Sequence, residues 1–269
     1  MKYKNIIDTH THSDNSFDGN HSCMELCECV VKKSGAGIAI TDHCDIDAKN
    51  YDSRAFSTNQ FVQTYMAKKA FEGKILVLQG IELGQGIYEK EKAIAIMDEF
   101  NYDYVIGSIH NLKDMEDFFY LDYKQYDIHD LLKRYFEAEL ELAEWNQTDS
   151  LAHLTYPLRY IVAREHINVD ITDYFDIIDA TFETLIKNDK ALELNTSGLF
   201  MDMKDTLPNK SLIKRFHDMG GKYVTVGSDA HYCDRVCQGI DTGLDILKEC
   251  GYDEFTIFQH REPVLIPIE

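Results

Sequence analysis

The chain has 269 residues, and its 27 Lys and Arg against 47 Asp and Glu give a formal net charge of −20. Hydrophobic residues make up 44% and charged residues 28%, which is ordinary globular usage and argues against disorder. So acidic a chain disfavours long nucleic acids and anionic membranes as partners, because binding to phosphate backbones needs exposed Lys and Arg. No apolar run approaches the roughly 20 residues that span a bilayer, and polar residues precede any signal-like stretch, so we expect a cytoplasmic protein.

Short apolar runs alternate with longer amphipathic ones from end to end, a pattern typical of βα repeats in a parallel sheet or barrel. The chain has only four prolines and no low-complexity linker, so no domain boundary is indicated and residues 1–269 are expected to form one domain. Seven strands are predicted, in chain order Asn5–Thr9, Gly37–Thr41, Ile75–Ile81, Tyr104–Ile109, Ser150–Ala152, Ala191–Asn195 and Lys222–Val226.

Helices are predicted between these strands. Ser22 and Glu25 have the spacing of a capping box and open a helix that runs to about Ser34, where Gly35 ends it. An α/β fold of seven strands followed by helices favours a TIM-like barrel, in which functional residues lie at the C-terminal ends of the strands. Three further helices are predicted from apolar periodicity, at Asp127–Trp145, Asp170–Lys187 and Asn209–Met219.

Seven cysteines are present, and an odd count in a chain without a secretory signal favours free thiols over a disulfide framework. Two groups, Cys23 with Cys27 and Cys29, and Cys233 with Cys237, invite comparison with zinc ligands. Neither group contains a CxxC pair, and both lie in stretches that we predict to be helical, where cysteine acts as a small buried hydrophobe. We therefore predict buried thiols.

Six of the seven predicted strands end in His, Asp or Glu, and in a barrel all of these side chains face one mouth. His10 and His12 are two residues apart and so lie on one face of an extended strand. Glu82 has two carboxylate oxygens, enough to bridge two ions. Imidazole and carboxylate are ligands of zinc, manganese and iron. The predicted metal-site residues at strand ends are His10, His12, His43, Glu82, His110, His153, Asp229 and His231.

A single histidine at a strand end more often serves as a hydrogen-bonded structural residue than as a metal ligand. The concentration of six histidines and several carboxylates behind successive apolar strands favours the metal site over that alternative. Asp8 and Asp42, also at strand ends, are interpreted as residues that orient ligating imidazoles. Asp14, Asp45 and Asp47 are interpreted as solvated loop carboxylates, because exposed charges usually contribute little. The alternative is that they attract the cationic end of a ligand at the mouth.

The segment from Asp8 to Gly19, with DTHTHS followed by SFDG, resembles the first motif of the polymerase and histidinol phosphatase (PHP) family. The later strand ends are similar to the family's later motifs in the same order, from residue 8 to about 240. The resemblance implies a distorted (β/α)7 barrel with three divalent metal ions, zinc, manganese or iron, at its mouth. The implied ligands are His10, His12, Glu82 and Asp229 for the first ion, Glu82, His110 and His153 for the second, and Asp18, His43 and His231 for the third.

Within the family, a free-standing chain of this length resembles the histidinol-phosphate phosphatases. The segment from His153 to Tyr160 is similar to that branch, in which an arginine, here Arg159, approaches the substrate phosphate. The resemblance implies a metal-dependent phosphomonoesterase that hydrolyses L-histidinol phosphate to L-histidinol and inorganic phosphate in histidine biosynthesis. Asp229 and His231 are the nearest candidates to handle the leaving-group proton. Further candidates for substrate contacts lie in strand-end loops: Asn195, Ser197 and Arg235.

Two other functions stay open. One is a PHP-type phosphoesterase acting on another small phosphate ester, such as a nucleotide or a short 3′-phosphorylated oligonucleotide, since net charge disfavours only long nucleic acids. The other is a metal-binding or sensor module without turnover. Because every ligand position is filled, the sequence argues against this second alternative. The sequence does not identify the metals or the oligomeric state.

Overall fold

Seven parallel strands form a nearly closed barrel in the computed structural model, which describes residues 2–47 and 53–269. Between the first and last strands, Thr9 N donates to Val226 O over 3.2 Å and Asp229 N donates to His10 O over 2.8 Å. The predicted distorted (β/α)7 barrel is confirmed. In spatial order the strands are β1 (Ile7–Asp8), β2 (Gly37–Ile40), β4 (Leu76–Gly84), β5 (Tyr104–Ser108), β6 (Ser150–Leu151), β7 (Ala191–Asn195) and β8 (Val224–Gly227).

One further short strand, β3 (His43–Asp45), was not predicted as a strand of its own. It pairs in parallel with the C-terminal part of β4, placing His43 opposite Glu82, whereas β2 pairs with the N-terminal part of β4. β2 and β3 are therefore two segments of one side of the barrel. The interruption between them, at Thr41 and Asp42, directs the chain around the barrel mouth.

Helices cover the outside of the barrel. The capping box of the first helix is present, with Ser22 Oγ accepting from Glu25 N and the Glu25 carboxylate accepting from Ser22 N. In the longest helix after β5, Leu132 and Tyr135 belong to the buried face that packs on the barrel. The helices are α1 (Cys23–Lys32), α2 (Ser53–Ala70), α3 (Lys90–Glu99), α4 (Ile128–Trp145), α5 (Leu158–Ile161), α6 (Phe175–Lys187), α7 (Lys210–Asp218) and α8 (Ile240–Cys250).

The strands read as continuous apolar runs because parallel strands are buried on both faces. All four residues of β2 and all five of β5 are buried. An antiparallel hairpin that was not predicted, β9 (Glu254–Gln259) with β10 (Glu262–Pro267), follows the last helix and stacks Phe258 on Tyr104, with ring centroids 5.4 Å apart. No helix in the described part of the chain is long and apolar enough to cross a membrane.

The cysteines are free thiols in the structure, as predicted, but the prediction of burial is wrong for Cys29 and Cys233, which are half-buried. Cys23 and Cys27 are buried on the inner face of α1. The prediction that Cys233 and Cys237 lie in a helix is wrong, because both fall in the turns between β8 and α8. Cys237 has a backbone role there: its amide N donates to Asp8 Oδ2 over 2.7 Å and helps to hold this turn against the first strand.

Candidate metal centre

Glu82, near the end of β4, lies at the centre of the cluster and is fully buried. Oε1 lies 3.1 Å from both His110 Nε2 and His153 Nε2. Oε2 lies 2.7 Å from His43 Nδ1. On the side of the first strand, the same Oε2 is 3.6 Å from His10 Nε2 and 3.7 Å from His12 Nε2. The two oxygens of one carboxylate thus face two different sets of imidazoles, as a bridging ligand requires.

The ionisation of the Glu82 carboxylate agrees with its position between two sets of imidazoles. Burial alone raises the pKa of Glu82, but the imidazoles of His110, His43 and His10 around it hold that pKa well below its usual range. The carboxylate is therefore ionised at neutral pH. An ionised carboxylate with no solvent contact needs cationic compensation close by.

Within the described residues, several buried atoms of this cluster make no hydrogen bond of regular geometry, even where another polar atom is near, namely His10 Nε2, His12 Nε2, His43 Nδ1 and Glu82 Oε2. Unpaired buried polar atoms are costly, and a group of them that converges on one space is typical of a ligand-binding site. Imidazole nitrogens and carboxylate oxygens are the donor set that zinc and similar ions take. The residues present therefore fit a metal centre. Among the residues that the structure describes, three groups have ligand atoms within 4.8 Å of one another: His10, His12 and Glu82; His43, Glu82 and His110; and His12, His43 and His231.

Asp18 enters the cluster from the loop after β1. Its Oδ1 lies 3.6 Å from His43 Nε2, and its Oδ2 lies 3.2 Å from His231 Nε2. Burial works to raise the pKa of Asp18, but the neighbouring imidazoles of His231 and His43 lower it overall. Only the family resemblance indicated this residue. The groups overlap more than the resemblance implied, because His43 faces Glu82 through one ring nitrogen and Asp18 through the other.

Asp229 connects the cluster of imidazoles and carboxylates to the residues that were predicted to bind substrate. Its Oδ1 lies 3.4 Å from His12 Nε2 and 3.9 Å from His10 Nε2. Its Oδ2 accepts from Arg159 Nη2 and from Asn195 Nδ2, each over 3.4 Å. The backbone of Asp229 has a φ of 54°, in the left-handed region that aspartate tolerates better than most residues. This turn aims the side chain inward from the end of β8.

A buried carboxylate that the sequence analysis missed, Glu193 in β7, supports the cluster from behind. Its Oε1 lies 2.7 Å from His10 Nδ1, and its Oε2 accepts from His153 N over 2.8 Å and from Asn195 Nδ2 over 3.2 Å. A carboxylate on the second ring nitrogen of a ligating histidine fixes the ring's orientation and tautomer. The one sequence signal was a glutamate inside an otherwise apolar strand, ALELN.

The interpretation of Asp45 as a solvated loop carboxylate is wrong. Its side chain is 13% exposed, and its Oδ1 lies 3.2 Å from His110 Nδ1, where it orients that ring. Asp42 does orient an imidazole, but indirectly: it accepts from Ser16 Oγ, which lies 3.1 Å from His12 Nδ1.

Asp8 has a backbone role in place of the predicted contact with an imidazole. It accepts from Ser228 N over 2.8 Å and from Cys237 N over 2.7 Å. These bonds tie the turn that carries Asp229 to the end of β1. Among the other acidic residues interpreted as loop carboxylates, Asp14 is exposed and Asp47 accepts from Asn111 Nδ2 over 2.8 Å.

A cavity of about 260 Å³ opens at the cluster and is lined by Asp18, His43, His110, His153, Asp229 and His231 together with Arg159. The Arg159 side chain is 8% exposed, and its guanidinium carbon lies 4.7 Å from the centre of the Tyr156 ring. Arg159 Nη2 also donates to Ser197 Oγ over 3.3 Å. The guanidinium is thus held rigidly at the cavity wall.

The other predicted substrate residues separate into two groups. Asn195 and Ser197 lie beside Asp229 and Arg159, with Asn195 Oδ1 accepting from Ser197 Oγ over 2.6 Å. Arg235 does not reach the cavity: it is exposed, and its Nη1 donates to Gln238 Oε1 over 3.1 Å. The turn after His231 carries Arg235 outward, which the sequence spacing alone did not reveal.

Imidazoles and carboxylates converge at the C-terminal ends of the strands of a parallel barrel. The fold and the site therefore define a barrel protein with a site able to bind metal. The family model of the PHP domain matches residues 8–197, and the chain belongs to this family. The family resemblance inferred from the motifs is therefore confirmed.

Curated relatives are similar over nearly their whole length. A probable histidinol-phosphatase of Clostridium acetobutylicum is 30% identical over 248 residues, which cover 91% of this chain and 94% of the relative. The histidinol-phosphatase of Lactococcus lactis is 26% identical over 254 residues, 94% of each chain. The crystal structure of histidinol phosphate phosphatase from Lactococcus lactis, complexed with zinc, L-histidinol and phosphate, superposes with a TM-score of 0.81 at 23% identity and covers 96% of this chain and 98% of its own.

Proposed function

We propose that this chain is a metal-dependent phosphomonoesterase that hydrolyses L-histidinol phosphate to L-histidinol and inorganic phosphate, in histidine biosynthesis. The observation that carries the proposal is the shared cavity, in which the buried guanidinium of Arg159 faces the same space as the metal-ligand side chains. The relatives named histidinol-phosphatase, similar over more than nine-tenths of this chain, support the choice of substrate.

Three divalent ions, zinc, manganese or iron, are proposed for this site. When bound, such ions polarise phosphoryl oxygens and lower the pKa of water towards 7, which supplies the nucleophile and offsets the substrate's charge. The proposed ligands are His10, His12, Asp18, His43, Glu82, His110, His153, Asp229 and His231. Unpaired buried atoms and the close spacing of six of these residues support the set. Asp18, His153 and Asp229 each have an atom 3.1 to 3.4 Å from a ligand atom of these six.

Arg159 is proposed to bind the phosphate. Its planar fork offers two parallel N–H groups to two phosphate oxygens, a grip that lysine cannot reproduce. Stacking on Tyr156 and hydrogen bonds to Ser197 and Asp229 fix its position before substrate arrives. Ser197 is in turn positioned by Asn195, so that both are proposed to act on substrate through or beside Arg159.

The alkoxide that leaves phosphorus needs a proton, because a primary alkoxide is a poor leaving group. Asp229 Oδ2 and His231 are the proposed sites for this proton, since both line the cavity beside Arg159. His231 has its Nδ1 3.0 Å from Asp229 O, which fixes the ring and leaves Nε2 on the side of Asp18.

A phosphate-release assay on metal-replete protein tests this proposal. The panel compares L-histidinol phosphate with a nucleoside 5′-monophosphate and a short 3′-phosphorylated oligonucleotide at equal concentration. We expect the highest kcat/KM for L-histidinol phosphate. Equal or faster release from the nucleotides would overturn the proposed substrate, and no release from any ester would favour a binding or sensor module. A cytoplasmic location and a single domain over residues 1–269 stay predictions.

A further inference from the structure

One more carboxylate lines the cavity without belonging to the metal cluster. Asp117 lies in the segment after β5, between His110 and the 3-10 turn that begins at Tyr123. Within the described residues it makes no hydrogen bond or ion pair with a proposed metal ligand. None of the functions assigned above uses it.

The carboxylate of Asp117 is held firmly. Phe119 N donates to its Oδ1 over 2.6 Å, and Tyr156 Oη donates to Oδ1 over 3.1 Å, with 3.4 Å to Oδ2. Tyr160 Oη in turn donates to Tyr156 Oη over 3.1 Å. A carboxylate offers about four acceptor sites, so two donors leave Oδ2 with lone pairs available to a ligand in the cavity.

Tyr156 separates Asp117 from the proposed phosphate-binding group, Arg159. The Tyr156 ring lies with its centroid 5.0 Å from that of His153 and 5.2 Å from that of His110, and Arg159 covers its face. Its hydroxyl end meets Asp117. Asp117 is therefore one tyrosine ring away from the proposed phosphate-binding group, a separation that suits a ligand whose phosphate and second polar group are a few bonds apart.

Among the described residues, no Lys, Arg or His nitrogen lies within ion-pair distance of Asp117. Burial raises the pKa of Asp117, and the attraction of His110 and the hydrogen bonds from Phe119 and Tyr156 offset this only in part. A cation that approaches the carboxylate would therefore stabilise its anion. Phe119 and Tyr120, which are 51% and 66% exposed, also line this part of the cavity, and aromatic faces attract cations and flat rings.

We propose that Asp117 is a specificity-determining residue that accepts a hydrogen bond from a protonated nitrogen of the phosphate ester. This inference rests on the proposed function, because L-histidinol phosphate carries an ammonium group and an imidazole beside its phosphate. The aromatic side chains Phe119 and Tyr120 flank the same end of the ligand. The metal cluster and Arg159 would then bind the phosphate, and Asp117 would select esters with a cationic end.

The variant Asp117→Asn tests the inference. Asparagine keeps an acceptor oxygen for Phe119 N and Tyr156 Oη but removes the charge. We expect the ratio of kcat/KM between L-histidinol phosphate and 3-phenylpropyl phosphate, which lacks both the ammonium group and the imidazole, to fall at least tenfold, mainly through KM. The matched control is Asp114→Asn, an exposed aspartate of the same segment outside the cavity, for which the ratio should stay within twofold of wild type.

Two further substrates identify the nitrogen concerned. With 3-(imidazol-4-yl)propyl phosphate, which lacks the ammonium group, a tenfold loss in Asp117→Asn would assign the contact to the imidazole. With 2-aminopropyl phosphate, which lacks the ring, the same loss would assign it to the ammonium group. Either result supports the inference, and loss with neither would contradict it.

Binding of L-histidinol in the presence of phosphate, measured by calorimetry on metal-replete protein, keeps the test independent of turnover. We expect L-histidinol affinity to fall at least tenfold in Asp117→Asn and phosphate affinity to change less than threefold. If Asp117→Asn lowers kcat/KM equally for charged and neutral esters and leaves L-histidinol affinity unchanged, the proposed role of Asp117 is overturned and the proposed function is not. Wild-type protein that hydrolyses no ester would overturn the proposed function instead, and the affinity of L-histidinol would still decide the role of Asp117.

Discussion

Replacing Glu82 by glutamine perturbs the metal centre at its most connected residue. The carboxylate faces His110 and His153 through one oxygen and His43 through the other, at distances of 2.7 to 3.1 Å. Glutamine has nearly the same shape, but one of its two terminal atoms is an N–H donor that cannot bind a cation. The substitution therefore removes one ligand atom and one negative charge without opening a cavity.

The expected loss of activity and of bound metal in Glu82→Gln follows from the two groups of imidazoles that share Glu82. Removing a residue that merely orients a metal ligand costs about 10- to 100-fold in metal affinity or activity, and removing the shared ligand itself should exceed that cost for both groups. We expect kcat to fall at least about 1000-fold, equivalent to about 4 kcal/mol of barrier. Bound metal per chain should fall by at least one ion.

Phosphate release and elemental analysis of the same Glu82→Gln preparation measure both effects. The matched control is Glu72→Gln, an exposed glutamate ahead of β4, which should keep the metal content and rate of the wild type. Full metal content with a near wild-type rate in Glu82→Gln would refute the site as described. A rate loss with full metal content would confine Glu82 to catalysis and refute its role as a shared ligand.

Two other carboxylates give separate predictions. Glu193→Gln should weaken metal binding about 10- to 100-fold in a chelator competition, because a carboxylate oxygen no longer lies against His10 Nδ1 to fix its ring. The exposed control variant Glu183→Gln should bind metal like the wild type. Equal metal affinity in the two variants would contradict the prediction. Within the described part of the chain, neither carboxylate oxygen of Glu139 makes a hydrogen bond of regular geometry, and burial raises the pKa of Glu139 to about 8 although Tyr135 lowers it in part. The folded state therefore holds the proton that the unfolded state releases near pH 4.5, so the free energy of unfolding should fall as pH rises from about 4.5 to 8, by at most about 5 kcal/mol. Urea unfolding of Glu139→Gln should lack this decline, and parallel pH profiles of the two proteins would contradict the assignment.

The residues at the strand ends could be predicted because the apolar pattern of a strand, and the residue that follows it, are local features of the sequence. An apolar run followed by His or Asp indicates both a strand and the side chain at its C-terminal end, so that His110 and His153 could be predicted as strand-end residues without knowledge of their partners. Asp18 lies in a loop where no such rule applies, and only a family motif indicated it.

The residues that the sequence did not reveal depend on contacts between distant segments. Glu193 acts through His10, 183 positions earlier in the chain, and a glutamate within a strand carries no mark of that pairing. Asp117 is recognisable only because Tyr156 reaches it across the cavity. The position of Arg235 also depends on the fold around it, because the turn after β8 directs its side chain to Gln238 and not to the cavity.

Hydrolysis of L-histidinol phosphate by metal-free and metal-reloaded protein tests the central claim most directly. The protein is stripped with a chelator, dialysed, and titrated with zinc or manganese while phosphate release and bound metal are measured together. We predict negligible release without metal, and release that rises with bound metal and levels off when the site is filled. Equal release from the metal-free protein, or none from the fully loaded protein, would contradict the assignment of this chain as a metal-dependent phosphatase of L-histidinol phosphate.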